Sequence, residues 1–142
     1  MIIYDSFKPI IIMRTIKFRG QKKTNGEWVY GSLVYSNEID VAIYYQTEND
    51  SVKTMDRVYV NQETVGQFTN LYDKNKKEIY EGDILKVSGT RERIEVRFVR
   101  GVFAFLWNGN LDDEAPINSP TQEWAEVIGN IHDKLKLIKR KK

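Results

Sequence analysis

The sequence contains no cysteine and only one histidine among its 142 residues. Disulfides, thiolate metal ligands and cysteine nucleophiles are therefore all excluded. A histidine-based triad or zinc site would have to be built around His132 alone. Long apolar runs are also missing, since none approaches the ~20 residues that span a bilayer. Asp5, Lys8 and Pro9 interrupt the apolar start, which is therefore unlike a signal peptide, and we expect a cytoplasmic protein.

Basic residues are unevenly distributed along the chain. Six of the 22 lie within residues 134–142, a segment without acids, so residues 1–133 carry 16 basic against 20 acidic residues, or −4. Such a tail is usually a solvated end, although it can also contact phosphates or an acidic partner. The hydrophobic fraction of 41% and the aromatic fraction of 12% argue against disorder and favour one compact, folded protein.

Period-two patterns between Gly, Asn and Ser clusters predict β strands along most of the chain. Convincing helical periodicity is scarce, apart from a possible turn at 61–63 and a possible start at 133–138. The sequence therefore predicts a mainly β fold with little helix, whose first sixty residues form a β meander. The predicted strands are 14–19, 27–35, 39–45, 52–60, 64–69, 83–88, 91–99, 102–107 and 122–131.

Strand 91–99 is predicted to bury one face and expose the other. Ile94, Val96 and Phe98 alternate with charged neighbours, while strand 102–107 is apolar on both sides and should be core. The loop 108–121, which follows strand 102–107, is predicted to be a surface arm or, as an alternative, a binding loop. Gly66 and Gly129 each interrupt an apolar strand, which suggests a bulge or a close backbone approach.

Three separated blocks carry a family resemblance. They are residues 13–20 (MRTIKFRG) with 26–32 (GEWVYGS), residues 66–69 (GQFT) with 73–87, and residues 126–132 (EVIGNIH). In this order they resemble the YopX family of bacteriophage and prophage proteins. The family pattern begins at Met13, so residues 1–12 look like an extension or a misassigned start.

The resemblance implies an SH3-like small β barrel preceded by an N-terminal β region, and it implies no known reaction. The expected division is an extension at 1–12, a β region at 13–60, the barrel region at 61–133 and a basic tail at 134–142. Lys76 stands where the family usually has glycine. That lysine either adopts a positive φ at a small steric cost, or the turn moves by one residue onto Asn75.

Candidate chemical groups are better explained by structure than by catalysis. Glu81 and Asp83 flank Gly82 before an apolar strand, where Asp83 should accept backbone N–H bonds. The acids Asp112, Asp113 and Glu114 lie in the polar loop and lack the spacing of a calcium site. His132, near Asn130 and Asp133, is expected to bond locally. We predict no catalytic residue, no metal site and no cofactor.

Basic and aromatic residues alternate in three places, as in proteins that bind single-stranded nucleic acid. These are Lys17-Phe18-Arg19, Arg57-Val58-Tyr59, and Arg97-Phe98 with Arg100. Alternation favours core packing instead, with Phe18 and Phe98 pointing inward and their basic neighbours outward.

Two functional hypotheses follow, and an enzyme is the least favoured class. The first is a non-enzymatic phage accessory protein that binds another protein through loops and exposed strand edges, with self-association also plausible. The alternative is nucleic-acid binding. Its residues would be the face formed by Arg91, Arg93 and Arg97 and the tail residues Lys139, Arg140, Lys141 and Lys142.

Overall fold

A computed structural model describes residues 2–5, 8–11, 13–36, 40–49, 52–108, 114–116 and 120–133. β strands dominate this part of the chain. The strands are β1 (Ile2–Asp5), β2 (Lys8–Ile11), β3 (Phe18–Gln21), β4 (Trp28–Tyr35), β5 (Val41–Asn49), β6 (Val52–Val60), β7 (Gly66–Tyr72), β8 (Glu78–Tyr80), β9 (Asp83–Val87), β10 (Arg93–Val99), β11 (Val102–Trp107), β12 (Glu114–Pro116) and β13 (Ala125–Asn130). A 3-10 turn spans Gln62–Thr64, and the short helix α1 spans Thr121–Trp124.

The strands form two main antiparallel sheets and a separate β1–β2 pair. One main sheet has six strands in the order β6-β5-β4-β3-β7-β8, and the other has five in the order β12-β11-β10-β9-β13. The six-stranded sheet therefore takes strands from both sides of residue 60, the boundary expected between the two β regions.

The first half of the six-stranded sheet curls around its own core. Lys23 N donates to Tyr59 O at 3.1 Å and Asn61 N to Gln21 O at 2.9 Å, so the end of β6 returns to the chain at the end of β3. The side chains enclosed by this curl are Val29, Val41, Ile43 and Val60, all buried. Curling lets one sheet bury an apolar face that a flat sheet would leave in water.

A second core joins the two sheets. Leu85, Ile94, Val96, Phe105 and Ala125 from the five-stranded sheet pack together with Ile79 from β8. The β7–β8 hairpin thus belongs to one sheet by hydrogen bonding and to the other by packing.

The prediction of a mainly β fold with little helix is confirmed. The described strands make two sheets and no closed barrel, so the SH3-like barrel implied by the family resemblance is not confirmed. The prediction that 102–107 is core is confirmed, since Ala104, Phe105 and Leu106 are buried. No helix in the described ranges combines the length and apolar character needed to cross a membrane.

The predicted strand 14–19 is wrong in both its bounds and its buried face. The strand is β3 at Phe18–Gln21, Ile16 is 55% exposed, and Arg19 is only 6% exposed. Gly20 lies within the strand, where a Cβ would meet the Val60 side chain at 3.0 Å in the curled core. Arg19 points inward because its guanidinium pairs with the buried carboxylate of Asp83 and lies over two aromatic rings.

The inward position predicted for Phe98 is also wrong. Ile94 and Val96 are fully buried on the same face of β10, but Phe98 is 53% exposed. The strand runs beyond the edge of the core before it turns at Arg100 and Gly101. Alternation therefore gives the correct face, and the extent of the core decides burial.

Pairing also creates short elements that the patterns did not predict. These are β1, β2, β8 and β12, and the helix α1 at the start of the predicted strand 122–131. β5 continues to Asn49 because Asn49 pairs with Val52 across the hairpin. Of the expected surface arm 108–121, Glu114–Pro116 pairs with β11, and most other positions lie outside the described residues.

Candidate functional site

The turn that follows β7 is organised by a buried aspartate. Asp73 is 1% exposed, and its Oδ1 accepts N–H bonds from Asn75 at 2.8 Å and Lys77 at 2.9 Å. Its Oδ2 accepts a third from Val127 N at 3.0 Å. Burial alone would raise the pKa of Asp73, but these backbone donors outweigh burial and hold the pKa below its ordinary value. Asp73 therefore ties the turn to β13.

Of the two alternatives offered for Lys76, the structure has the first, because the φ of Lys76 is 65°. Lys76 N donates to Asp73 O at 3.0 Å, and Asp73 N to Lys77 O at 2.8 Å. Lysine thus adopts the left-handed conformation that glycine adopts at no steric cost.

Both interpretations offered for the strand glycines are realised, one at each position. A Cβ at Gly66 would lie 2.4 Å from Glu81 O, so the backbones approach too closely for any side chain. At Gly129 nothing lies within 4 Å of such a Cβ, and the register of β13 against β9 shifts between Val127 and Gly129. Gly66 is a close approach and Gly129 is a bulge.

A buried ion pair links β3 to β9. Arg19 Nη2 lies 2.8 Å from Asp83 Oδ1, and Tyr80 N donates to Asp83 Oδ2 at 2.7 Å. The guanidinium lies over the Trp28 ring at 4.5 Å and the Tyr80 ring at 5.0 Å. The predicted role of Asp83 as a backbone acceptor is confirmed, whereas no sequence pattern indicated Arg19 as its partner.

The electrostatics of the two neighbouring carboxyls are set by burial. Burial raises the pKa of Asp83 more than Arg19 and the Tyr80 N–H lower it, so the net direction is upward. Burial likewise raises the pKa of Glu81, partly offset by the Gln67 N–H and by Arg97 and Arg19. Since Asp83 is held between Arg19 and a backbone donor, its geometry is that of a structural clamp.

His132 lies at the end of β13, as expected, and its backbone bonds locally. Its N–H donates to Asn130 Oδ1 at 2.9 Å, while Asn130 Nδ2 donates to Asp133 Oδ2 at 2.7 Å. The imidazole packs against Trp28, with ring centroids 5.8 Å apart. In the described ranges no group of three or more His, Asp or Glu side chains could hold a metal ion. Asp112 and Asp113 lie outside those ranges.

The residues predicted for nucleic-acid binding lie on an exposed face of β10 and just before it. Arg91, Arg93 and Arg97 are all exposed, and Arg97 Nε is 2.6 Å from Glu95 Oε1. Lys139, Arg140, Lys141 and Lys142 lie outside the described residues.

The aromatic residue of the alternating segment 57–59 lies outside the core. Tyr59 is 40% exposed on the outside of the curled sheet, and Arg57 lies over its ring at 5.8 Å.

The edge strand β6 is a prominent exposed feature. β5 and β6 pair along nine residues each, whereas β4 pairs with β5 only from Val41 to Tyr44. The hairpin therefore extends beyond the rest of the sheet. Residues 52–57 are all exposed, including the apolar Val52 at 59% and Met55 at 61%.

A groove of about 530 Å³ lies between β7 and the tip of the β10–β11 hairpin. We call it the hairpin groove, and its lining residues are Arg14, Gln67, Thr69, Leu71, Phe98, Gly101, Val102 and Phe103. Phe98 and Phe103 are directly opposite in register, and their rings meet edge to face at 5.2 Å. No sequence pattern described above predicts this site.

One sequence signal for the hairpin groove is the pair Phe98 and Phe103, which lie on either side of the turn at Arg100 and Gly101. Positive φ values of 49° and 82° at these two positions make the tight turn that holds the rings together. The remaining lining residues come from distant parts of the chain.

These features define a mainly β protein of two antiparallel sheets with exposed strand-edge and groove surfaces. The YopX protein family model matches residues 17–139, and the chain belongs to this family. The first-block residues 13–16 fall just outside that match.

The crystal structure of protein EF1440 from Enterococcus faecalis has a similar fold. The TM-score is 0.55 at 23% identity, and the match covers 89% of this chain and 99% of that one. A search of curated proteins found no match.

Proposed function

We propose that this protein is a non-enzymatic accessory protein of a phage or prophage and that it acts by binding other proteins. The observation that carries the proposal is the exposed edge of β6 at residues 52–57, which bears Val52 and Met55. An unpaired edge with exposed apolar side chains is a template for strand addition by another chain. A second copy of the protein is one such chain.

The placement of the reactive side chains supports a binding role over catalysis. Asp73 is occupied by three backbone donors, Asp83 by Arg19 and a backbone donor, and the His132 ring packs on Trp28. A catalytic constellation needs a nucleophile, a base and a reacting atom to converge, and these groups are already engaged in holding the fold.

A charge placed on β6 tests the proposal. Lysine on an edge strand discourages pairing with another chain, so Met55→Lys should weaken both self-association and partner capture. The matched control is Gln62→Lys, which adds the same charge at an exposed position just after the strand. Light scattering after size exclusion measures self-association, and tagged wild type and variants are compared in capture from prophage-induced cells. A strict monomer at high concentration that retains no protein above a mock capture would contradict the proposal.

Nucleic-acid binding is the second candidate, and the exposed position of Arg91 and Arg93 favours it. It predicts oligonucleotide binding that weakens steeply with salt, because each neutralised phosphate releases counterions. Deleting residues 139–142 should reduce that binding. No binding to DNA or RNA at low ionic strength would eliminate this candidate.

The SH3-like barrel remains part of the proposal on the strength of the family resemblance. Its support in the described residues is the antiparallel set β9, β10, β11 and β13 over one core. A crystal structure of the whole chain, with the strand pairing of residues 61–133 resolved, would test it.

A further inference from the structure

We propose that the hairpin groove binds an extended peptide segment of a partner protein, with an apolar side chain against Phe98 and a carboxylate against Arg14. The inference rests on the proposed protein-binding function and assigns it a second surface, separate from the β6 edge. The ligand class is an extended peptide that carries an aliphatic or aromatic residue close to an aspartate or glutamate.

The apolar part of the groove has the properties of an anchor pocket. Phe98 is 53% exposed, although its ring packs edge to face with that of Phe103 and is therefore held in place. Leu71 from β7 lines the same space and also packs against the buried core beneath. Concave sites with rigid aromatic walls are where truncation of a partner side chain costs most. The volume of about 530 Å³ is of the size that holds a few side chains.

The polar part of the groove fits a peptide with an acidic residue. Arg14 is exposed and forms no ion pair with any described residue, so its guanidinium can receive a carboxylate in bidentate fashion. Its position is fixed by the next residue: Thr15 N donates to Asn70 Oδ1 at 2.9 Å, and Asn70 Nδ2 donates to Thr15 O at 2.8 Å.

In this pair of hydrogen bonds, the side-chain amide of Asn70 holds the extended backbone at Thr15. Gln67 supplies another amide, this time in the lining of the groove itself. It can bind the N–H and C=O groups of an incoming peptide in the way that Asn70 binds those of Thr15.

The distribution of charge favours a peptide over single-stranded nucleic acid. Nucleic acid needs aromatic rings and a track of cations on one surface. Here Phe98 is on the opposite face of β10 from Arg93 and Arg97, and Arg97 is already paired with Glu95. Within the lining, Arg14 is the charged residue. A single cation beside an apolar wall matches one carboxylate, not a phosphate chain.

The test is selection of a random peptide library displayed on phage against the purified full chain. We expect the enriched peptides to share an apolar residue close to an acidic one. Synthetic copies, measured by fluorescence anisotropy, should bind Phe98→Ala at least about tenfold more weakly, as expected when an anchor contact is removed. Arg14→Glu should weaken acidic peptides and improve copies in which lysine replaces the acid. The matched control is Val34→Ala, which trims a 40% exposed residue on β4 of the six-stranded sheet.

Every outcome of this experiment either supports or overturns peptide binding at the groove. Circular dichroism melts first confirm that Arg14→Glu and Phe98→Ala, both changes at exposed positions, retain the fold. No enrichment, or enriched peptides that bind Phe98→Ala as well as wild type, would overturn the proposal. Binding of labelled oligo-dT that is lost in Phe98→Ala would overturn it in favour of nucleic acid. Partner capture that depends on Met55 but not on Phe98 would leave the proposed function standing and remove the groove from it.

Discussion

At the scale of single residues, buried charged side chains and one glycine determine how distant strands meet. Asp73, Asp83 and Arg19 are buried, and each has at least one partner that lies far away in the chain. A buried charge without such partners costs several kcal/mol, roughly what a few core side chains contribute. These residues therefore restrict the chain to one arrangement of its strands.

Gly66→Ala is the sharpest residue-scale prediction. The new methyl group would lie 2.4 Å from the backbone oxygen of Glu81, a residue whose N–H donates to Gln67 O of β7 at 2.9 Å. We expect a loss of about 2 kcal/mol or more in the free energy of unfolding, as for other severe overpacking. Urea denaturation monitored by tryptophan fluorescence measures it. Gly129→Ala is the control, since nothing lies within 4 Å, and it should change stability by less than about 1 kcal/mol. Equal effects of the two substitutions would contradict the close approach.

At the scale of elements, the β7–β8 hairpin contacts both sheets: it is hydrogen-bonded in one and packs into the core of the other. Its turn is built around Asp73, whose Oδ2 also holds Val127 of β13. Its packing residue Ile79 lies in the core of the five-stranded sheet. A defect in this turn should therefore be felt in both sheets.

Asp73→Asn tests the turn and also predicts a change with pH. The amide can accept the N–H bonds at one oxygen, but its NH₂ group would face the Val127 or the Asn75 and Lys77 donors, which costs about 1–3 kcal/mol. Because the folded-state pKa of Asp73 lies below its unfolded value, wild type has this stabilisation above the unfolded pKa. It is lost as pH falls through the folded pKa.

Urea midpoints measured between neutral and strongly acidic pH provide the readout. The stability difference between wild type and Asp73→Asn should shrink as the pH falls below about 4, the ordinary range for aspartate. Glu63→Gln, at an exposed position in the 3-10 turn, should track wild type throughout. A constant difference across the pH range would show that the carboxylate charge is not the cause.

At the scale of the whole molecule, the ion pair between Arg19 and Asp83 connects the two sheets. Arg19 belongs to β3 of the six-stranded sheet, Asp83 to β9 of the other, and each is nearly inaccessible to water. The Trp28 and Tyr80 rings enclose the guanidinium from the same sheet as Arg19. The pair therefore sets how the two sheets meet.

Arg19→Met should destabilise the protein by about 3–5 kcal/mol, because it leaves Asp83 buried without its cation. Part of this loss should be recovered in the double variant Arg19→Met with Asp83→Asn, whose amide carries no charge. Chemical denaturation of both variants and of Asp83→Asn alone gives the coupling free energy. Strictly additive effects would argue that the two residues act independently.

The exposed pair Lys23 and Asp40 is the internal comparison. Its atoms lie 3.4 Å apart in solvent, so Lys23→Met should cost at most about 1 kcal/mol.

The sequence by itself determined the family, the mainly β class and several local structures. Alternation, the turn at residues 73–77 and the Glu81-Gly82-Asp83 entry into β9 depend on neighbouring residues, whose conformational preferences act over a few positions. For this reason the role of Asp83 as an acceptor was predictable. The positive φ at Lys76 and the bulge or close approach at each glycine were predictable only as alternatives.

Only the tertiary structure decided which side chains meet across the chain. Arg19 turns inward because Asp83, 64 positions later, receives it, and Phe98 is exposed because the core ends before it. The hairpin groove likewise joins residue 14 to residues 67–71 and 98–103. Periodicity describes the face of a strand but contains no information about what lies above that face, so surfaces built from distant segments appear only when the strands are packed.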